Sequence, residues 1–314
     1  MNTFVNLLTI SKELNDKNLF QDFRRKAVFI VRGIVHQKKI QEMIAFFRNS
    51  TLRNSIAAAH PSIIEQVTRC VLYRNSTFSE RLEIIKQHFQ FAERYFTEEG
   101  LRSIYLHEGL LLWQQPYHQG VLAASLTYGE EVHKEGLMAV TLKLDGKVIY
   151  RVNFYIAADS DGELALWIGA LQGSPNGVAI NHELTKYFYG YRPKNLILHF
   201  VRALTRQLSI HHIYAVSNVG FYTNNHIRVD RKLKTSLDEF WSETGGKRCS
   251  DLRFYELPLI EPRKSIAEVK THKRNLYKKR FETLDAIEAA VQKALASLTR
   301  PRQKGRFFSA GKSL

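Results

Sequence analysis

The hydrophobic period of this chain changes near residue 100, which restricts it to folds that join a helical region to a sheet. Residues 1 to about 95 read as helical. From Lys26 to Phe47, apolar residues fall at Val28, Ile30, Val31, Ile34, Val35, Ile40, Ile44 and Phe47, mostly at helical spacing. Pro61 suits the first turn of a further helix over Ser62–Tyr73. Ser79 offers an N-cap to a helix running to Phe96, with apolar residues every three or four positions. His88 is expected at the solvent edge of that helix.

Beyond residue 100 the apolar runs become short or alternating. Ser103–Trp113, Val121–Tyr128, Leu137–Leu144, Lys147–Ile156 and Leu164–Ile168 read as strands of an antiparallel meander. Asp145-Gly146 marks a hairpin and Asp159-Ser-Asp-Gly162 a second turn. Two helical segments follow, Val178–Tyr189 and Asn195–Leu208. Ile213–Ser217 then reads as a buried strand reached through a helical crossover. Thr235–Thr244 is a short helix ended by Gly245-Gly246, and Arg253–Leu257 a further strand. An apolar stripe from Ile266 to Leu298 predicts a long C-terminal helix. The class is α+β. The pattern divides the chain into a helical region 1–98, a core 99–262, a basic helix 263–299 and a basic tail 300–314 expected to be disordered.

Charge is unevenly spread. The chain carries a net charge of +16, and residues 263–314 hold 14 Lys and Arg against 4 Asp and Glu. Lys270, Lys273, Arg274, Lys278, Lys279 and Arg280 crowd the first half of the expected C-terminal helix. A basic appendage on a nearly balanced body points to an anionic partner: a membrane surface, lipopolysaccharide or nucleic acid. A docked helix with a solvated Lys/Arg face accounts for the same residues. No apolar run approaches the ~20 residues of a membrane helix. The first ten residues lack a basic leader, so a cytoplasmic location is expected. Cys70 and Cys249, far apart, read as reduced thiols.

The segment Leu164–Gly177 is the first candidate site. An apolar run breaks into a loop holding Gly169, Gly173, Pro175 and Gly177, and a helix then begins. Backbone N–H groups at a helix start bind anions, and Gln172 and Asn176 would add side-chain amides. A tight strand-to-helix turn fits the same residues. Arg192 and Lys194 flank Pro193 at a second helix start; they either converge on the same anion or belong to a polar turn. Ser217 and Asn218 end an apolar strand, where catalytic polar groups sit. A nucleophilic serine needs a base, and His199, His211 and His212 are near in sequence. Asp238, Glu239 and Glu243 flank Trp241 on one short helix and offer a general base or simple dipole complements. Tyr255 offers a phenol. Phe221-Tyr222 with Arg228, Arg231, Lys232 and Lys234 mixes aromatics and cations, as an anionic, partly apolar ligand requires. His107/Glu108 and His182-Glu183 lack a partner histidine, so no metal site is expected.

Ile168-Gly-Ala-Leu-Gln-Gly173, Tyr191-Arg-Pro-Lys-Asn-Leu-Ile-Leu198, Ile213-Tyr-Ala-Val-Ser-Asn218, Leu237-Asp-Glu-Phe-Trp-Ser-Glu-Thr-Gly-Gly246 and Phe254-Tyr-Glu-Leu-Pro258 together resemble the VirK/YbjX family. The resemblance covers roughly residues 20 to 290. It implies a Gram-negative cytoplasmic protein associated with virulence, lipid A and envelope properties and antimicrobial-peptide resistance; a place peripheral to the inner membrane is the alternative to a purely cytoplasmic one. A second resemblance is to the acetyltransferase-like fold, where a meander leads to a strand whose following loop holds the pyrophosphate of an acyl-CoA. Trp167–Gly177 matches that strand and loop, and Ile213–Ser217 the next strand. Two helical segments rather than one separate them. The resemblance implies an acyl-CoA cofactor held by Gly169, Gln172, Gly173 and Asn176, neutralised by Arg192 and Lys194. Ser217, Asn218, Asp238 and Tyr255 then supply the chemistry. The alternatives are a degenerate relative of that fold that only binds, and a binding or regulatory protein that engages an anionic surface or RNA through its basic C-terminus.

Overall fold

Side-chain alternation builds the sheet. In the computed structural model, which describes residues 3–14, 19–129, 132–175, 177–225 and 236–300, five strands form a meander in sequence order. They are β1 (Leu110–Tyr117), β2 (Gly120–Thr127), β3 (Met138–Leu144), β4 (Lys147–Ala158) and β5 (Leu164–Gly173). Each pairs antiparallel with the next. Asp145 and Gly146 both adopt positive φ, 48° and 76°, the twist a two-residue hairpin needs. Helices α8 (Val178–Tyr187) and α9 (Pro193–Gln207) then carry the chain across to β6 (His212–Val216), which lies parallel to β5. Strand β8 (Phe254–Leu257) pairs with β6, and the two-residue β7 (Lys247–Arg248) closes the edge. The strand order is β1-β2-β3-β4-β5-β6-β8-β7. A mainly antiparallel sheet with a helical crossover is therefore present.

Helices cover both faces. Helix α6 (Phe78–Tyr95) packs on β4, and α7 (Glu98–Leu106) on β1 and β2. On the opposite face α9 packs on β3 and β4, and α11 (Arg274–Ala296) on β1 and α9 through Leu284, Ile287, Val291 and Leu295. Between β6 and β7 lies α10 (Leu237–Glu243), whose buried Trp241 donates its Nε1 hydrogen to the Val216 carbonyl at 2.8 Å. The remaining helices are α1 (Thr3–Glu13), α2 (Leu19–Val35), α3 (Gln37–Arg48), α4 (Thr51–Ala59) and α5 (Ser62–Gln66). The apolar core runs without interruption from α1 to α11. No described helix is long and apolar enough to cross a membrane.

Several elements depart from the sequence reading. The stripe over 26–47 is two stripes: the chain breaks at His36, with Val31 and Val35 exposed on α2 and Ile40, Ile44 and Phe47 buried on α3. Residues 103–106 are helical, the last turn of α7, and β1 begins only at Leu110. The cap of α6 is Thr77, not Ser79: Thr77 and Glu80 form a reciprocal capping box. The C-terminal helix is α11, preceded by two short 3₁₀ turns over Ile266–Glu268 and Thr271–Lys273. The helix expected over Ser62–Tyr73 stops at Gln66.

His88 is the clearest correction. It lies fully buried, not at the solvent edge. Beyond Phe154, β4 has no β3 partner, and α6 supplies one instead: His88 Nδ1 accepts the Ile156 N–H at 3.0 Å and Gln87 Oε1 accepts that of Ala158 at 2.8 Å. Its Nε2 bonds the Tyr105 hydroxyl at 2.8 Å. Burial lowers the His88 pKa to about 3, so the ring is neutral and can serve as this acceptor.

Candidate functional site at the bulged end of strand β5

Strand β5 pairs with β4 along its whole length, from Ala158↔Leu164 to Tyr150↔Gly173. Asn153 faces Ala170 and Phe154 faces Ile168, so Gly169 is an extra residue, a β-bulge. Pairing with β6 ends at Ile168↔Ala215. From Gly169 onward β5 has a strand partner on one side only, and the two parallel strands part. Strand β6 cannot follow because the chain turns at Ser217, whose N–H bonds the Arg253 carbonyl at 2.8 Å.

The backbone of the β2–β3 connection seats directly on the bulge. A Cβ at Gly169 would lie 1.8 Å from the Glu135 carbonyl oxygen, so no side chain fits there. The Glu135 carboxylate is 4% exposed. It accepts from Asn153 Nδ2 at 2.6 Å and from Gln172 Nε2 at 2.8 Å. Gln172 in turn accepts from Arg151 Nη2 at 3.1 Å. Burial pushes the Glu135 carboxyl up to about 7, against the pull of the Asn153 hydrogen bond and the Arg151 charge. Asn153 Oδ1 and Gln66 Oε1 are buried beside this network without hydrogen-bond partners. A carboxyl that titrates near neutrality can both accept and return a proton.

Alternation places Tyr150 on the other face. Its ring lies against Gly173, and its hydroxyl accepts from Asn181 Nδ2 of α8 at 3.3 Å. Burial raises the Tyr150 pKa, opposed by Asn181 and by the charge of Arg192. Gly177 caps α8 without a side-chain hydrogen bond. Its first N–H groups therefore depend on backbone, water or ligand acceptors. Gly173, Tyr150, Asn181 and Arg192 thus gather where β5 runs out into α8.

The other sequence-predicted residues are placed as follows. Arg192 is exposed, precedes Pro193 at the start of α9 and donates to Glu243 at 2.6 Å. Lys194 sits with its ammonium 3.9 Å over the Phe240 ring; burial lowers its pKa, and Arg192 adds to that. Asn176 lies outside the described residues. Ser217 is fully buried: its hydroxyl donates to the Leu252 carbonyl at 2.7 Å and accepts the Gly220 N–H at 3.0 Å. Asn218 Oδ1 accepts from Leu237 N at 2.7 Å, and Asp238 accepts from Asn218 N at 2.6 Å and from Arg248 at 2.9 Å. Asn218 and Asp238 come together at the start of α10, whose N-cap is Ser236, while Ser217 holds the preceding turn. Tyr255 is buried on β8, under the Arg248 guanidinium. His199 bonds the Leu284 carbonyl and His212 bonds Glu256, so neither serves Ser217. Of the basic group near Phe221-Tyr222, Arg228, Arg231, Lys232 and Lys234 lie outside the described residues, as do positions 301–314. No group of three metal-ligating side chains occurs among the described residues.

Glu135, Asn153, Tyr150 and Asn181 are absent from the sequence reading. Gln172 was legible as an amide beside the glycine loop, but its partner Glu135 is 37 positions away. A cavity of about 470 Å³ lies elsewhere, between α9 and α11, lined by His199, Arg206, Glu261, Arg263, Asp285 and Glu288. Its charges neutralise one another through Arg206–Glu288 at 2.7 Å and Arg263–Asp285 at 2.6 Å. The titrating carboxyl and the parted strands favour the β5 site.

Comparison with known proteins agrees with the resemblance read from residues 168–258. The family model described as a protein of unknown function, DUF535, matches residues 18–293. An Escherichia coli K12 relative, the uncharacterized protein YbjX, is 27% identical over 277 residues, covering 85% of this chain and 82% of its own. A Haemophilus influenzae protein, also uncharacterized, is 21% identical over 294 residues, covering 92% of this chain and 96% of its own. A second Haemophilus influenzae protein is 26% identical over 194 residues, covering 59% and 62%. No solved structure matches.

Proposed function

The chain belongs to the DUF535 family of proteins of unknown function, and we propose that it is an acyltransferase that draws on an acyl-CoA. The observation that carries this reading is the parting of β5 from β6 at the Gly169 bulge, immediately before a loop and helix start. The order of meander, bulged strand, loop, helices and parallel strand is similar to that of acetyltransferase-like folds, with two helices, α8 and α9, where those have one. The unpaired edge of β5 can hydrogen-bond the amide arm of such a donor, as a further strand would. The phosphates would bind at the exposed Gly173 and the start of α8, with the Tyr150 ring alongside, and Arg192 would turn to them from Glu243. The donor contributes a thioester. The acceptor's nitrogen or oxygen bonds the acyl carbon, the C–S bond breaks, and the sulfur leaves as thiolate. Glu135 takes the acceptor's proton. Asn218, half-buried just past the end of β6, lies on the opposite wall.

Acetyl-CoA and longer acyl-CoAs are expected to raise the melting temperature of the native chain, since a ligand bound only by the folded state stabilises it. Gly173→Asp puts a carboxylate where the phosphates bind. It should weaken acyl-CoA binding by at least about tenfold, equivalent to about 1.4 kcal/mol, with the circular dichroism spectrum preserved. Unaltered affinity in this variant, measured by calorimetry, rejects the site.

A second reading is favoured by one observation. Lys270, Lys273, Lys278 and Lys279 are exposed around the start of α11, whereas Arg280 is spent on the Tyr189 carbonyl at 2.6 Å. These four lysines suit an anionic partner. Deleting residues 263–314 cannot test this, because α11 supplies four buried core side chains. Reversing the four lysines to glutamate should instead lower the salt concentration at which the protein leaves a polyanion resin. Identical elution counts against the reading.

A further inference from the structure

Helix α2 presents its apolar residues on two opposed sides. Phe29 and Gly33 face inward, with Gly33 so close to α1 that a Cβ would lie 2.5 Å from a Leu7 methyl. With about 3.6 residues per turn, Leu19, Phe20, Phe23, Val31, Ile34 and Val35 share the other half of the cylinder. All six are exposed: Leu19 by 89%, Phe20 by 75%, Phe23 by 73% and Val35 by 71%. An apolar strip of this length is unusual on a monomer and marks a binding surface. Its neighbours are cationic. Arg24 is exposed within the same half, Arg32 and Lys38 are exposed beside it, and residues 19–48 hold seven Lys and Arg against two Asp and Glu.

Charge decides what covers this face. A second copy would bring the same cations and the same net +16, and like charges oppose that pairing. An occupant that is apolar in depth and anionic at its rim matches both features. We infer that α2 lies in the headgroup layer of an anionic bilayer, with Phe20, Phe23 and Val31 entering the acyl region. Arg24 and Lys38 then meet lipid phosphates, the arrangement of interfacial amphipathic helices, while Arg32 donates to the Thr68 carbonyl at 3.0 Å. This surface is separate from the β5 site and does not depend on the acyltransferase reading.

The test is co-sedimentation of the full chain with vesicles of phosphatidylglycerol and phosphatidylcholine, against phosphatidylcholine alone. The native protein should pellet with the anionic vesicles. The double variant Phe20→Glu/Phe23→Glu should partition at least about tenfold less at an unchanged melting temperature, since both rings are exposed. Phe23→Trp should add blue-shifted emission over the native spectrum when anionic vesicles are present. Native protein that stays in the supernatant overturns the proposal, as does equal pelleting of native and double variant. A dimer in sedimentation that the double variant dissolves, without vesicle binding, also overturns it and assigns the face to a second copy.

Discussion

Gly169→Ala should destabilise the protein by about 3 kcal/mol or more. The added Cβ would sit 1.8 Å from the Glu135 carbonyl oxygen, and that obstacle is backbone, not the free end of a side chain. Relief requires lifting the segment 132–137, which is anchored on several sides. Leu137 N–H bonds the Phe154 carbonyl at 2.8 Å, Leu72 N–H bonds the Lys134 carbonyl at 2.9 Å, and Gln66 Nε2 bonds the Gly136 carbonyl at 3.3 Å. Gly136 is itself pressed onto Phe154, where a Cβ would lie 2.6 Å from the backbone nitrogen. Moving the segment forfeits hydrogen bonds worth about 1 kcal/mol each and pulls Glu135 from Asn153. Gly177→Ala serves as control: its Cβ would meet Ser174 O at 3.1 Å, a contact that a shift of a few tenths of an ångström relieves. Urea denaturation of both variants should separate them by several-fold in lost stability. A Gly169→Ala midpoint equal to the native one would mean that the segment does not rest on the bulge.

What the sequence reveals is what depends on near neighbours. The alternation of β2 and the Asp145-Gly146 turn are set by residues a few positions apart and lie where the pattern puts them, whereas Gly169–Gly173, expected as a loop, continue strand β5 because β4 pairs with them as far as Tyr150↔Gly173. The period of α6 is equally plain, but period alone cannot say which face meets the sheet. His88 is buried because Ile156, 68 positions later, needs an acceptor at a strand edge. The same limit hides the site. Gly169 and Gln172 stand out as loop residues, whereas Glu135 acquires its character from Asn153 and Gln172, 18 and 37 positions away. Within the segment Gly129–Gly136 it is one acidic residue among three. Thr77 differs: Thr-Phe-Ser-Glu80 is a capping box in the sequence itself, and Ser79 only masks it. The turn after β6 and the start of α10 also mislead for a physical reason. Ser217, Asn218 and Asp238 have the residue types of a catalytic group, but turn and helix starts use the same hydroxyl, amide and carboxylate.

Glu135→Gln should make the native state more stable at alkaline pH and leave it little changed under acid. The Glu135 carboxyl titrates at about 7 when folded, raised by burial from an ordinary 4.5. A raised carboxyl pKa means that the folded state holds the proton more tightly. The stability it contributes is full below pH 4.5 and is lost as pH rises through 7, beyond which a buried charge must be carried. That interval corresponds to about 3 kcal/mol, less whatever the variant loses by presenting an amide N–H to Gln172. Raw melting curves mix in His88, whose pKa of about 3 acts with the opposite sign, removing stability as pH falls below 6.5. The difference between native protein and variant cancels that contribution. The difference should therefore grow between pH 5 and 8; a constant difference would show that Glu135 does not titrate in the fold. Turnover separates the positioning and proton-transfer roles. If Glu135 receives the acceptor's proton, the native rate rises with pH through about 7, because only the carboxylate accepts it. The glutamine variant then loses about a hundredfold in rate together with that rising limb, while acyl-CoA affinity, which depends on Gly173 and Arg192, stays as it was.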